Sequence, residues 1–330
     1  MKIVAFGEVM MRMMPPHYKT LTQAHTLEFL FTGTGMNVLS GLYQMGHESY
    51  LITRLPDHSV GKAASAQIRQ LGIKDDYIYY GGNHIGIYFL EQGIGNRASQ
   101  ITYLNREESS FCQSQVSDYD FACLDGKDAL HVCGISLAIS DHLRDVVMAF
   151  VLEAKKRGMK VIFDCNFRSS LWSKEQNQIK EIYEKILSLS DIVFAGYKDA
   201  TLLLQIDAPL NLSDEDKLKY VLQKMCKDYH IETIFGTIRG ENTLSGYMVH
   251  DSDMIISPPI KLTVYDRVGG GDGFAAGAIH GYFSKMEPYE LIRYATASGV
   301  LAHTTYGDSP ILAKEVIQDF LEHGTSDIKR

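Results

Sequence analysis

Three consecutive glycines, an aspartate and then small residues occupy positions 266–277, DRVGGGDGFAAG, and open an apolar helical run over 274–283. Glycines let several backbone N–H groups converge on one anion, and a helix beginning there adds the partial positive charge of its N-terminus. An acid inside such a loop opposes anion binding unless a substrate proton must be removed. Asp272 therefore reads as a general base set in an anion site, with a plain helix cap as its simpler role. The run Gly33-x-Gly35-x-x-Val38 imitates a dinucleotide fingerprint, but its sixth position is valine and no acid ends a following strand about 20 residues on. No GxxxxGK[ST] occurs either, which sets aside P-loop nucleotidases. What remains for residues 31–38 is close approach of backbone to a ligand, with Asn37 as a polar reader. Arg106 and Arg168, the latter in Asp164-x-Asn166-x-Arg168, each follow a strand-like stretch. Arginines so placed clamp carboxylates or phosphates, or pair on the surface. The 12 histidines include no HExxH, and no GxSxG is present, so neither a zinc protease nor a serine hydrolase is indicated.

These groups need rigid carriers, and short β-branched runs alternate with longer helical stretches along the chain. Strands are expected at 2–7, 49–55, 129–133, 160–164, 191–195 and 232–237. Helices are expected at 35–45, 60–71, 141–157, 174–189 and 214–229. That alternation predicts βαβ units and a mostly parallel sheet covered on both faces. Residues 85–91 and 99–104 break it, being strand-like with a glycine turn at 93–96 and no helix between them, which predicts an antiparallel hairpin. With the irregular piece 20–31 they form a small sheet standing off the main one. The methionine-rich start reads as a strand leaving the core rather than a signal peptide, and 204–213 as a loop.

Net charge is −8 over 330 residues, which argues against a nucleic-acid partner. No stretch reaches the roughly 18 apolar residues of a membrane span. Five scattered cysteines without a CxxC point to a reducing compartment, so a cytoplasmic protein is expected.

Residues 266–277 resemble the C-terminal signature of the ribokinase-like (pfkB) carbohydrate kinases, usually DTxGAGD, and 33–37 sit where that family carries its N-terminal glycine motif. The segments KIVAFGEVMMRMMPP, GGNHIGIYFLE, FDCNFRSSLW and VYDRVGGGDGFAAG are similar to those of 2-keto-3-deoxygluconate kinases, from residue 2 to about 308. The resemblance implies an α/β fold: a ribokinase-like three-layer αβα sandwich with a mostly parallel sheet and a small β-sheet lid. It implies one domain over 1–330, with a lid from about 12–33 and 85–108. The implied activity is ATP-dependent, Mg2+-assisted phosphorylation of a sugar-acid hydroxyl. Residue by residue, Asp272 matches the base, and Gly269, Gly270 and Gly271 the anion hole. Gly33, Asn37, Tyr88, Tyr103, Arg106, Arg168 and Asp308 fall where the family meets substrate. Asn166, Thr237, Arg239, Gly240, Gly269 and Gly271 fall where it meets nucleotide. Association through the lid sheet into a homo-oligomer is also implied.

The chain departs from the family at four places. GAGD has become GGGD; the paired glycine is Thr32–Gly33; one extra residue separates Tyr103 from Arg106; and the acidic Asn-Glu-x-Glu segment reads Gly196-Tyr197-Lys198-Asp199. The last departure leaves the metal ligands open. If the glycine turn needs only its N–H groups, Gly270→Ala is expected to be tolerated where φ is negative. The rival readings are a kinase of a neutral sugar such as fructose or ribose, and a catalytically weak sugar-acid-binding regulator. Two arginines near one pocket disfavour the first, and Asp272 disfavours the second.

Overall fold

A computed structural model describes residues 1–172, 174–251 and 253–325. In chain order the strands are β1 (Lys2–Phe6), β2 (Met10–Met14), β3 (Glu28–Thr32), β4 (Glu48–Leu55), β5 (Ile78–Tyr80), β6 (Gly86–Glu91) and β7 (Gln100–Leu104). They continue with β8 (Ala129–Cys133), β9 (Lys160–Asp164), β10 (Ile192–Phe194), β11 (Thr233–Arg239), β12 (Thr243–His250), β13 (Asp253–Ile256) and β14 (Ile260–Lys261). The helices are α1 (Thr34–Gln44), α2 (Ser59–Gln70), α3 (Ile135–Ile139), α4 (Asp141–Lys156), α5 (Gln176–Leu187), α6 (Asp214–Tyr229), α7 (Gly270–Phe283), α8 (Pro288–Ala302) and α9 (Lys314–His323).

Ten strands form the large sheet in the order β13-β12-β11-β10-β9-β8-β1-β4-β5, with β14 alongside β12. Every pair from β11 to β5 is parallel. The edge β12, β13 and β14 is antiparallel. Side chains alternate across the central strands, so each strand supplies two cores. Val4, Phe6, Leu130, Val132, Val161 and Phe163 face α4, α5 and α6 through Phe150, Ile179 and Leu218. Ile3, Ala5, Ile162 and Ile192 face the opposite layer, through Leu39 of α1, Ile68 of α2, Ala276 of α7 and Ile292 of α8. The sheet with helices on both faces is the αβα sandwich expected from the alternation of elements.

The second sheet runs β3-β2-β6-β7. Its hairpin β6–β7 is antiparallel, as its glycine turn foretells, while β2 lies parallel to β6. Residues 28–32, within the stretch read as irregular, become a strand because they pair with β2 antiparallel, Met13 opposite Phe29. That partner is set by the fold and leaves no local periodicity. Met10, Met14, Tyr88 and Leu90 form a small core of their own beneath this sheet.

Gly33 joins β3 to α1, and the carbonyl of Glu8, just past β1, lies against its Cα. A Cβ there would fall inside contact distance of that backbone oxygen, which has no rotamer by which to retreat. The Gly33→Ala variant should therefore lose about 1–3 kcal/mol of stability, read as a lower urea midpoint at unchanged m-value.

Candidate active site

Parallel strands deliver their carboxyl ends to one rim of the sheet, and ligands gather there. The ends of β9, β10 and β11, the glycine turn before α7 and the tip of the β6–β7 hairpin enclose a cavity of about 1310 Å³. Asp164, Asn166, Arg168, Lys198, Asp199, Thr237, Gly269, Gly271 and Asp272 lie in its wall.

Gly269 caps α7 at φ +88°, in the left-handed region, and the Asp308 carbonyl packs directly on its Cα. Both conditions call for glycine. The helix then starts at Gly270, so the N–H groups of its first turn are free to bind an anion in the cavity. Asp272 stands in that turn, half-buried, and receives a 2.7 Å hydrogen bond from Nδ2 of Asn37 on α1. The Asn37 amide cannot flip, because its Oδ1 accepts from the hydroxyls of Thr32 and Ser309. Burial pushes the Asp272 carboxyl up to about 8, with Asp164 and Asp308 adding repulsion against the Asn37 hydrogen bond and the Arg168 charge. A carboxyl so raised is a strong proton acceptor near neutral pH, which is what a general base requires.

A second acidic group lies across the cavity. Burial, then the charge of Asp199, raises Asp164 to about 6, and burial also raises Asp199. Asp164 accepts from the backbone and Nδ2 of Asn166, which leaves the buried Asn166 Oδ1 without a hydrogen-bond partner. Two repelling carboxylates and an orphaned amide oxygen form an oxygen-only donor set that suits a hydrated Mg2+. Asp199 begins a single π-helical turn, Asp199–Leu203, and its carboxylate accepts from the Gly196 N–H. The acid that remains of the expected Asn-Glu-x-Glu segment is thus directed inward.

Other expected contacts lie elsewhere. Asn37 acts on the cavity through Asp272, while Gly33 supports the backbone beside it. Arg106, 9% exposed, directs Nε and Nη2 to Glu8 at 2.9 and 2.8 Å and packs its guanidinium over the Tyr103 ring; its buried Nη1 has no partner. Tyr88 and Asp308 do not line the cavity: the Tyr88 hydroxyl donates to Asp308 at 2.7 Å, and Asp308 is ion-paired with Arg12. Arg239 and Gly240 are exposed beyond the cavity wall, with Arg239 leaning on His303. Sequence reading gave no site role to Glu8, Arg12, Ser309 and His303; Glu8 follows the end of β1 and was within reach of a strand-end argument, whereas the other three carry no such signal. Gly270 does not have the free space that its expected tolerance of alanine assumed. Its φ is not positive, but the buried His303 ring stands where the methyl group would go and would have to shift.

Fold and site together describe a small-molecule kinase, with a raised carboxyl in the first turn of a helix that begins at a glycine turn and a cavity at the carboxyl ends of a parallel sheet. The chain matches the pfkB family carbohydrate kinase over residues 1–314 and belongs to that family. A solved structure from Enterococcus faecalis, provisionally named a 2-keto-3-deoxygluconate kinase, is 38% identical. It superposes with a TM-score of 0.96, covering 100% of this chain and 99% of that one. The 2-dehydro-3-deoxygluconokinase of Thermotoga maritima is 29% identical at a TM-score of 0.92, over 98% of each chain. The 2-dehydro-3-deoxygalactonokinase of Haloferax volcanii is 26% identical over 100% of this chain and 99% of its own.

If Asp272 is the base, Asp272→Asn keeps its shape and removes the proton acceptor. Turnover should fall on the order of 10²–10⁴-fold with sugar affinity nearly unchanged. In the parent, kcat/KM should decline as pH drops through an apparent pKa well above the ordinary carboxylate range, toward 8. Asp164→Asn removes a neighbouring negative charge, so this acid limb should move to lower pH; a limb near 4 in the parent would contradict the assignment.

Proposed function

We propose that the protein is an ATP-dependent kinase of a 2-keto-3-deoxy sugar acid, acting on its terminal hydroxyl. The raised Asp272 carboxyl beside the glycine turn carries the reading. Asp272 takes the hydroxyl proton as that oxygen attacks the γ-phosphorus in line, the bond from phosphorus to the β,γ-bridging oxygen breaks with ADP leaving, and the amides of the α7 N-terminus receive the charge that develops on the transferred group. Asp164, Asp199 and Asn166 would hold Mg2+, which supplies charge neutralisation on the phosphate oxygens when bound. Thr237 on the wall and Arg239 and Gly240 beyond it serve the nucleotide side. Arg106 keeps one unpartnered donor, the buried Nη1, for the sugar carboxylate, and Arg168 on the cavity wall stands where it can meet carboxylate or phosphate.

Two sugar acids fit this reading. 2-Keto-3-deoxygluconate is favoured by the names of the Enterococcus and Thermotoga proteins, and its C4 epimer by that of the Haloferax protein. ADP release with both epimers and with neutral sugars decides between them. Arg106→Ala should cost about ten- to a hundredfold in kcat/KM for the preferred acid, since a charge-assisted contact contributes roughly 1.5–3 kcal/mol. It should cost little for a neutral sugar of the same length. Equal losses would mean that Arg106 shapes the lid instead.

The lid sheet also supports self-association. Residues opposite one another share a face, and one face carries Phe29, Met13 and Phe89 in one row and Phe31, Met11, Ile87 and Leu104 in the next, where Phe31 is buried in the main core and Met11 and Ile87 pack against it. Phe29 is 59% and Leu104 47% exposed. An apolar face of this kind suits a second copy of the chain. Phe29→Asp should lower the mass seen by sedimentation equilibrium; an unchanged mass would remove the lid from the interface. No helix among the described residues is long and apolar enough to cross a membrane.

A further inference from the structure

Arg12 lies on β2, in the lid sheet, and is 1% exposed. A guanidinium buried that deeply is costly unless its charge and donors are met. Both carboxylates that meet it come from the other side of the cleft. Nη2 pairs with Asp266 at 2.8 Å, and Nη1 pairs with Asp308. Each of these residues abuts the glycine turn. Asp266 Oδ1 accepts from the Val268 N–H at 3.3 Å, one residue before the turn, and its own N–H is held by the His303 carbonyl. Asp308 presses its carbonyl on the Cα of Gly269, and its second carboxylate oxygen takes the hydroxyl of Tyr88 from β6. Strand β2 is thereby fastened through the Arg12 cation to both segments between which the glycine turn is held, and β6 through the Tyr88 hydroxyl to one of them. The sheet has other means of packing its apolar residues, and a hydrophobic side chain at position 12 would match Met10 and Met14 on the same face. A charge is needed only if the two aspartates must be held together.

We propose that Arg12 is a positioning residue for phosphoryl transfer: its buried guanidinium pins Asp266 and Asp308 on either side of the glycine turn, so that the amides of 269–272 stay aimed at the transferring phosphoryl group. The role rests on the kinase reading for its catalytic consequence, though not for the clamp itself. Preorganised donors act only while their geometry is fixed, so a loosened turn should cost turnover rather than binding. Lysine keeps the charge but gathers its three donors on one nitrogen, so it does not span two carboxylates as the planar fork does.

The test uses the full chain with Arg12→Lys and Arg12→Gln, each followed by amide hydrogen exchange over 266–273 and by steady-state ADP release. The clamp predicts exchange at least tenfold faster in both variants at the hydrogen-bonded amides that hold the turn, Val268 on Asp266 and Gly273 on Gly269, while the central strands β1 and β8 keep their protection. It also predicts kcat reduced about ten- to a hundredfold, with the KM values for sugar and ATP within threefold of the parent and Lys less impaired than Gln. Unchanged exchange over the turn in a folded variant overturns the proposal, whatever the enzyme does. A sugar KM raised tenfold at constant kcat overturns it as well, since Arg12 would then belong to substrate recognition. If the parent releases no ADP with any sugar acid, the kinase reading fails, and the exchange arm still decides the clamp. Should Gln prevent folding, the Lys variant alone gives both readouts.

Discussion

Placing a carboxylate at the mouth of an anion-binding turn is the constraint on which the site depends. The helix N-terminus that stabilises a phosphoryl group would equally stabilise a charged Asp272 and so weaken it as a base. Burial works the other way. It raises the carboxyl to about 8, and the nearby Asp164 and Asp308 reinforce the shift. The carboxyl therefore gains proton affinity from its surroundings while the first-turn amides of α7 beside it have no intrahelical partner. Asn37 sets the orientation, and its own orientation is set by Thr32 and Ser309. The chain of contacts runs from lid strand through first helix to the base.

Charge is distributed around the cavity in unequal groups, and each inequality is informative. Asp164 and Asp199 stand together with an unpartnered amide oxygen, an arrangement short of positive charge that favours a divalent cation. Arg12 faces two carboxylates and a phenol. Arg106 is neutralised by Glu8 along one edge, and its Nη1 is buried without a partner. Glu8 follows the first core strand, so the carboxyl end of β1 aims the arginine that follows the last lid strand.

Much of the fold was legible locally. Parallel strands buried on both faces leave continuous apolar runs, and helices between them leave a 3.6-residue period, so the sandwich and its helical layers could be read from pattern. The hairpin β6–β7 was legible from its glycine turn. That the piece 20–31 joins the small sheet was foreseen, but the bounds of β3 and its partner β2 were not, because its strand character comes from that pairing. The antiparallel edge of β12 to β14 likewise depends on neighbours rather than period.

The site divides along the same line. The glycine turn, the helix start and the acid in its first turn were legible in the sequence alone, because they are contiguous along the chain. Asn166, Arg168 and Thr237 were within reach as residues just past strands or at a strand's end. Which polar groups meet was decided only by the tertiary structure. Arg12 pairs with residues 254 and 296 positions away, Asn37 with one 235 away and Arg106 with one 98 away. No local signal links such residues, since ion pairs and hydrogen bonds constrain distance in space and leave separation along the chain free. The assignment of Tyr88 and Asp308 to a buried network, and of Gly270 to the face of a histidine ring, needed the folded chain for the same reason.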